Sequence, residues 1–138
     1  AKSMLRIVVG VIAGSLAWLT LWVGGEQILS TIWPQWFGAH QLAFQAAITD
    51  GAPFTADPTV LATHVALGTV VSAIAGLLAA LIAGENKRAP RALGVLLLII
   101  GLLKAVMSWP LVPLWYHVLF TAILLPMAML GGRLKTTH

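Results

Sequence analysis

The sequence contains no cysteine, only four acidic residues and only twelve charged residues among its 138 positions. The lack of cysteine excludes disulfides, thiolate metal sites and cysteine nucleophiles. Charged residues make up 9% of the chain, whereas soluble domains carry about 25%, so this chain cannot cover a globule of its size with polar surface. The composition therefore excludes a cytosolic enzyme, a nucleic-acid-binding domain and a disordered tail, and it leaves an integral membrane protein.

Hydrophobic residues are abundant instead, at 59% of the chain with a mean hydropathy of +0.95. A helix needs about 20 mostly apolar residues to cross the hydrocarbon layer. Four stretches reach this length: about residues 7–33, 58–83, 92–109 and 113–130. We predict an all-α integral membrane protein, an antiparallel four-helix bundle that forms a single transmembrane domain over residues 1–138. The first stretch is too long for a secretory signal, and Glu26 and Gln27 follow where small residues would mark a cleavage site, so we interpret it as a spanning helix.

The basic residues predict the orientation, because Lys and Arg accumulate in cytoplasmic loops. Asp50 and Asp57 lie on the side that carries no cation outside the spans. We predict cytoplasmic N and C termini and a multi-pass location in the bacterial inner (plasma) membrane. We also expect Lys87, Arg88 and Arg91 to meet anionic lipid headgroups, at about 1 kcal/mol for each cation. Seven of the eight cations lie on the predicted cytoplasmic side: Lys2, Arg6, Lys87, Arg88, Arg91, Arg133 and Lys135.

The connection between the first two predicted spans, residues 34–57, is the one long loop. Apolar residues are frequent from His40 to Thr49, and Asp50 and Gly51 close the run, so we predict a short helix on or in the outer leaflet. Asp57 followed by Pro58 is typical of an N-cap and the first residue of a helix. Aromatic residues favour the headgroup level at the predicted outer ends: Trp33, Trp36, Trp109, Trp115 and Tyr116.

Small residues predict where the helices touch, because in lipid the hydrophobic effect does not drive helices together. The second predicted span carries one at every fourth position: Gly68, Ser72, Gly76, Ala80 and Gly84. The first and third spans contribute Gly10, Gly14, Gly94 and Gly101. The pattern leaves two interpretations open, packing within the bundle and a seam with a second copy or another subunit.

Four ionisable residues fall inside the predicted spans, one in each helix: Glu26, His64, Lys104 and His117. A charged side chain at mid-membrane costs about 2.5–3.5 kcal/mol on insertion scales. With a rise of 1.5 Å per residue, all four lie roughly 6–10 Å below the outer ends. We predict a polar cluster centred on a Glu26–Lys104 ion pair, with the two histidines adding hydrogen bonds. The alternative is that Lys104 extends to the headgroups and the histidines face water.

The sequence contains no HExxH, GxSxG, Walker or Rossmann pattern, so we predict no enzyme, no catalytic residue, no metal and no cofactor. The favoured function is a packing or accessory subunit of a membrane complex, or a homo-oligomer, with the lipid bilayer as the other partner and no nucleic acid. The first alternative is a proton- or ion-coupled transporter or channel that uses Glu26 and Lys104. The second is haem b or a pigment bound through His64 and His117. A metal site of two histidines and Glu26 is disfavoured by the nearby ammonium of Lys104.

The chain resembles a family of small four-span bacterial inner-membrane proteins. The resemblance rests on Gly24-Gly25-Glu26, the Ala/Gly stripe that runs into Ile82-Ala83, Pro113-Leu114-Trp115, and the closing Leu130-Gly131-Gly132-Arg133-Leu134. In that family an Asn is usual where Lys104 stands, and a Pro-His-Pro is usual near Leu111–Pro113. The resemblance therefore implies the four-span topology and adds nothing about the chemistry of the polar cluster.

Overall fold

A computed structural model describes residues 2–135, with side chains from Met4 onward. The side chain of Lys2, which we counted among the cytoplasmic cations, lies outside the described part. The chain is all-helical over these residues, as predicted, and contains no strand there. A five-residue π-helical turn, Pro34–Gly38, joins the first two helices. The five α-helices are α1 (Lys2–Ile32), α2 (Ala39–Asp50), α3 (Pro58–Ala83), α4 (Arg88–Met107) and α5 (Leu114–Arg133).

Four of these helices, α1, α3, α4 and α5, are long and apolar enough to cross a membrane. They correspond to the four stretches expected from hydropathy, although α1 begins five residues earlier and α5 continues to Arg133. The differences arise because a helix extends into its polar flanks, whereas a span is counted from apolar residues alone. The short α2 covers the run for which the sequence predicts a helix.

Local chemistry explains where the helices start and stop. Asp57 caps α3, because its Oδ1 accepts hydrogen bonds from the backbone N–H and the hydroxyl of Thr59 at 2.9 and 2.6 Å; these bonds lower the pKa of Asp57. Gly51 and Gly84 end α2 and α3 at φ values of 67° and 72°, which favour glycine. The Glu85 carboxylate accepts backbone N–H bonds at the start of α4. Burial acts against ionisation there, but these bonds lower its pKa.

Small residues set the packing, with α3 in contact with α1, α5 and α4. Gly10 and Gly14 of α1 lie against the backbone carbonyls of Ala79 and Ala75 of α3. The carbonyl of Ala128 in α5 lies so close to Gly76 that an added Cβ would be 1.9 Å from its oxygen. The contacts of Gly10 and Gly14 place α1 antiparallel to α3, and the approaches of Gly68 to Phe120 and of Gly76 to Ala128 place α5 parallel to it.

The other predicted packing residues also have neighbours within the chain. Gly68 faces Phe120, and Gly94 and Gly101 of α4 face Leu125 and Leu124 of α5. Ser72 and Ala80 are fully buried, and Gly84 lies beside the Arg6 guanidinium. Contacts within a single chain therefore account for the small-residue stripes, and the stripes give no separate support for a second subunit.

The bundle has two unlike ends. At the terminal end, where α1 begins and α5 ends, Ala75, Ala79, Leu93 and Ala128 are fully buried in a close-packed core. At the other end, which we call the α2 end, the helices hold polar and aromatic side chains beneath α2. The α2 end therefore provides the room for a site.

Candidate functional site

A polar cavity of about 240 Å³ lies at the α2 end. The four long helices form its walls, and one face of α2 covers it. Among the four ionisable residues predicted to converge, Glu26, His64 and Lys104 line this cavity. The complete lining is Trp22, Glu26, His40, Gln41, Phe44, Gln45, Leu61, His64, Lys104, Ser108, Val112 and Tyr116.

Glu26 bonds to His64 and to α2. Its Oε2 accepts a hydrogen bond from Gln41 Nε2 at 2.8 Å and lies 3.1 Å from His64 Nε2. His64 Nδ1 lies 3.0 Å from the carbonyl oxygen of Val60. Because both neighbours of the imidazole are acceptors when Glu26 is ionised, the bonds are satisfied only if Glu26 and His64 share one extra proton. The pair is largely shielded from solvent, since the side chains of Glu26 and His64 are 19% and 6% exposed.

The predicted ion pair between Glu26 and Lys104 is wrong. Among the described residues the partner of Glu26 is His64, and the ammonium of Lys104 does not come within 4.0 Å of the carboxylate. Lys104 Nζ instead lies over aromatic rings, 4.4 Å from the centroid of Phe120 and 4.7 Å from that of Trp22. It also lies 3.5 Å from the Tyr116 hydroxyl, to which it donates. The ring faces supply the negative potential that we assigned to the carboxylate.

His117 lies outside the polar cavity. Its ring stacks on Trp109 with centroids 4.9 Å apart, and its Nε2 is 3.4 Å from the Trp109 carbonyl oxygen. It borders a crevice of about 10 Å³ that also touches Lys104. His64 and His117 thus face different spaces, an arrangement that does not favour a haem or pigment between them.

The most informative residue of the cavity, His40, was missed from the sequence. Both of its ring nitrogens are buried without a hydrogen-bond partner among the described residues, and its ring packs edge-on against Phe54 at 5.0 Å. Burial lowers the pKa of His40; the nearby His64 acts in the same direction and Asp57 in the opposite one. A spacing signal was present, because one face of a helix carries residues one and four apart. That face of α2 holds His40, Gln41, Phe44 and Gln45.

Aromatic side chains close the cavity towards the terminal end. Trp18 and Trp22 stack with centroids 5.3 Å apart, and Trp22 meets the edge of Phe120 at 5.2 Å. Trp18 Nε1 donates to Ser72 Oγ at 3.0 Å, so this floor is anchored to α3. Tyr116, which we expected at the headgroup level, is only 5% exposed and lines the cavity. By contrast, Trp33, Trp109 and Trp115 are exposed, by 48%, 55% and 44%.

An apolar groove of about 270 Å³ adjoins the cavity between α2 and α4. The groove and the polar cavity share Phe44, Lys104 and Ser108. The groove is otherwise aliphatic, and it is lined by Phe44, Ile48, Ile100, Leu103, Lys104, Met107 and Ser108.

A basic cleft of about 360 Å³ lies at the terminal end. It contains two of the three cations that we expected at lipid headgroups, Lys87 and Arg91, together with Arg133, whereas Arg88 is not part of its lining. Arg6 is bonded elsewhere, to the carbonyl oxygen of Ile82. The expected headgroup contact of Lys87, Arg88 and Arg91 stays a prediction.

The arrangement at the α2 end joins the hydrogen-bonded Glu26–His64 pair, an ammonium over aromatic rings and an unpartnered imidazole in one space. Over residues 2–135 no three His, Asp or Glu side chains are grouped so as to hold a metal ion. Comparison of the chain with protein-family models, with curated protein sequences and with solved structures gives no match.

Proposed function

We propose that this chain is a multi-pass membrane protein that binds a ligand in the polar cavity. The observation that carries the proposal is His40, whose two ring nitrogens are buried there without a partner. Buried polar atoms are nearly always hydrogen-bonded, because leaving one unpaired costs about 1–3 kcal/mol. A ligand that offers both a donor and an acceptor would satisfy His40.

The Glu26 carboxylate offers a second contact for such a ligand. Both bonds of the carboxylate reach Oε2, so Oε1 is left as an acceptor at a cavity wall. A ligand with an N–H or O–H group can therefore donate a hydrogen bond to Oε1. Lys104, which lines the same cavity, provides a donor.

Binding is better supported than conduction or an accessory role. The floor of Trp18, Trp22 and Phe120 separates the cavity from the terminal end, so transport requires this floor to move. An accessory or oligomeric role rested on small-residue stripes that are now accounted for within the chain. The bis-histidine alternative has no observation in its favour.

We propose that the α2 end faces outward, with both termini cytoplasmic, in a bacterial inner membrane. The support is electrostatic, because cytoplasmic segments are rich in Lys and Arg. Among the described cations only Lys104 lies at the α2 end, and the terminal end holds Arg6, Lys87, Arg88, Arg91, Arg133 and Lys135.

The lack of cysteine makes the orientation directly measurable, since each introduced thiol is unique. In right-side-out membrane vesicles, a membrane-impermeant maleimide is expected to label Gln45→Cys at the cavity. It is expected to label Lys87→Cys only after detergent is added. Labelling of Lys87→Cys in sealed vesicles, with Gln45→Cys protected, would reverse the orientation.

The ligand site itself is tested by replacing His40 with leucine. Removing two unpartnered polar atoms is expected to raise the free energy of unfolding by about 1–3 kcal/mol in ligand-free detergent solution. His117→Leu is the matched control, because His117 has a hydrogen bond and a stacked ring to lose, and the protein is expected to become less stable. A loss of stability in His40→Leu would show that His40 is structural and would remove the main support for a ligand site.

The His40→Leu substitution is also expected to change how the free energy of unfolding depends on pH. Burial lowers the pKa of His40 in the folded protein from its ordinary value of 6.5. As pH falls through 6.5, the unfolded chain takes up a proton that folded His40 resists, so the free energy of unfolding decreases towards pH 5. We expect SDS titrations at pH 7.5 and 5 to show a smaller decrease for His40→Leu than for the wild type. Equal decreases would contradict the burial of a neutral imidazole.

A further inference from the structure

The polar cavity and the apolar groove meet along one edge, where Phe44, Lys104 and Ser108 belong to both. We propose that the ligand is a membrane amphiphile that enters sideways between α2 and α4. Its head, which carries an ammonium and a phosphate without net charge, lies in the cavity, and its aliphatic tail lies along the groove. This inference rests on the proposed function, since it specifies the ligand of the same site.

The groove is suited to an acyl tail. Ile48, Leu103 and Met107 are 43%, 61% and 73% exposed, so in a bilayer they face lipid. The only polar residues of the groove are Lys104 and Ser108, and both lie at the edge shared with the cavity. A tail can therefore stay in apolar surroundings while the head moves from the leaflet into the cavity. A wholly polar ligand would make no use of this opening.

The charged groups of the cavity favour a head that carries both a positive and a negative charge. Glu26 and Lys104 line the same space but are not paired with each other. Glu26 Oε1 accepts no hydrogen bond among the described residues, and the polar contact of Lys104 Nζ is the 3.5 Å bond to Tyr116. An ammonium fits at Oε1 and a phosphate fits at Nζ. A phosphate head without an ammonium would leave Oε1 without a charged donor, and a quaternary ammonium would have no N–H to donate to Oε1 or to His40.

Four probes separate these requirements in scintillation-proximity binding to the purified full-length chain in mild detergent. We expect lysophosphatidylethanolamine to bind at least tenfold more tightly than lysophosphatidylcholine, which lacks ammonium donors, or lysophosphatidylglycerol, which is anionic. We expect phosphoethanolamine, the same head without a tail, to bind at least a hundredfold more weakly. Equal binding of phosphoethanolamine would overturn the tail while leaving a polar ligand site in place. Equal binding of the three lysolipids would overturn the selection of the head.

Substitutions at two lipid-facing positions test whether the tail binds in the groove. Met107 and Val106 are neighbours in α4 and are both 73% exposed, but only Met107 lines the groove. Met107→Trp is expected to weaken lysophosphatidylethanolamine binding about tenfold by filling the groove, and Val106→Trp is expected to leave it unchanged. Equal effects of the two variants would overturn the groove as the tail site. If no probe binds at all, the amphiphile proposal fails, and the ligand site is then judged independently by the stability of His40→Leu.

Discussion

Replacing Gly76 with alanine is expected to lower the free energy of unfolding by about 3 kcal/mol, at the upper end for an overpacked core. The added Cβ would lie 1.9 Å from the carbonyl oxygen of Ala128 and 2.8 Å from its Cα. These neighbours are backbone atoms, so no side-chain rotation relieves the clash. α3 and α5 must move apart, and the contacts along their whole interface weaken.

Gly24→Ala is the matched control for this measurement. Gly24 is also a helical glycine, but a Cβ there meets nothing within 4 Å, so the variant is expected to be as stable as the wild type or more stable by up to about 1 kcal/mol, since alanine is the better helix former. Gly131→Ala repeats the test from α5, because its Cβ would lie 1.9 Å from the carbonyl oxygen of Ala73. SDS titrations followed by circular dichroism would measure all three variants. If Gly76→Ala and Gly24→Ala unfold alike, α3 and α5 do not pack as closely as described.

Much of the fold follows from periodicities that the sequence displays directly. Four apolar runs predict four long helices because spanning the hydrocarbon demands that length. Asp57-Pro58 marks the start of α3 because capping is a local interaction. The small-residue stripe of α3 predicts a packing surface, but not its occupant. Gly76 faces Ala128 of the same chain, and only the three-dimensional arrangement of α5 decides that.

The sequence predicts the depth of the site residues along the helices, but not which of these residues pair with each other. Helix rise places Glu26, His64 and Lys104 at one level, and they do share a cavity. Which of them pair depends on rotations about the helix axes and on nearby rings. Trp22 is one turn from Glu26 in α1, and its ring, with that of Phe120, lies under the ammonium of Lys104.

The contribution of α2 was hidden for a different reason. Its polar face is short, and a 12-residue helix outside the spans has no lipid cost to mark its polar residues as exceptional. In the sequence, His40 therefore looks like an ordinary solvent-facing histidine at the start of a short surface helix. Only the packing of its ring against Phe54, beside His64 and Glu26, makes its unpartnered nitrogens conspicuous.

Replacing Glu26 with leucine is expected to be among the most damaging changes in the cavity. The substitution leaves Gln41 Nε2 and His64 Nε2 without their partner, and each unpaired donor costs about 1–3 kcal/mol. Glu26→Gln keeps an acceptor oxygen and is expected to cost less.

Lys104→Met is expected to have a small effect, because a thioether over the rings of Trp22 and Phe120 replaces part of the cation–π attraction and a buried charge is removed.

Double-mutant cycles distinguish the pairing in the structure from the one predicted by sequence. We expect a coupling free energy of about 1–3 kcal/mol between Glu26→Leu and His64→Phe, as for residues in direct contact. Phenylalanine is chosen because it keeps the ring that stacks on Phe37 at 4.8 Å. For Glu26→Leu with Lys104→Met we expect a smaller coupling, because the ammonium is not in direct contact with the carboxylate and attracts it only across the cavity. A larger coupling to Lys104 than to His64 would show that the ammonium, and not the imidazole, balances the carboxylate.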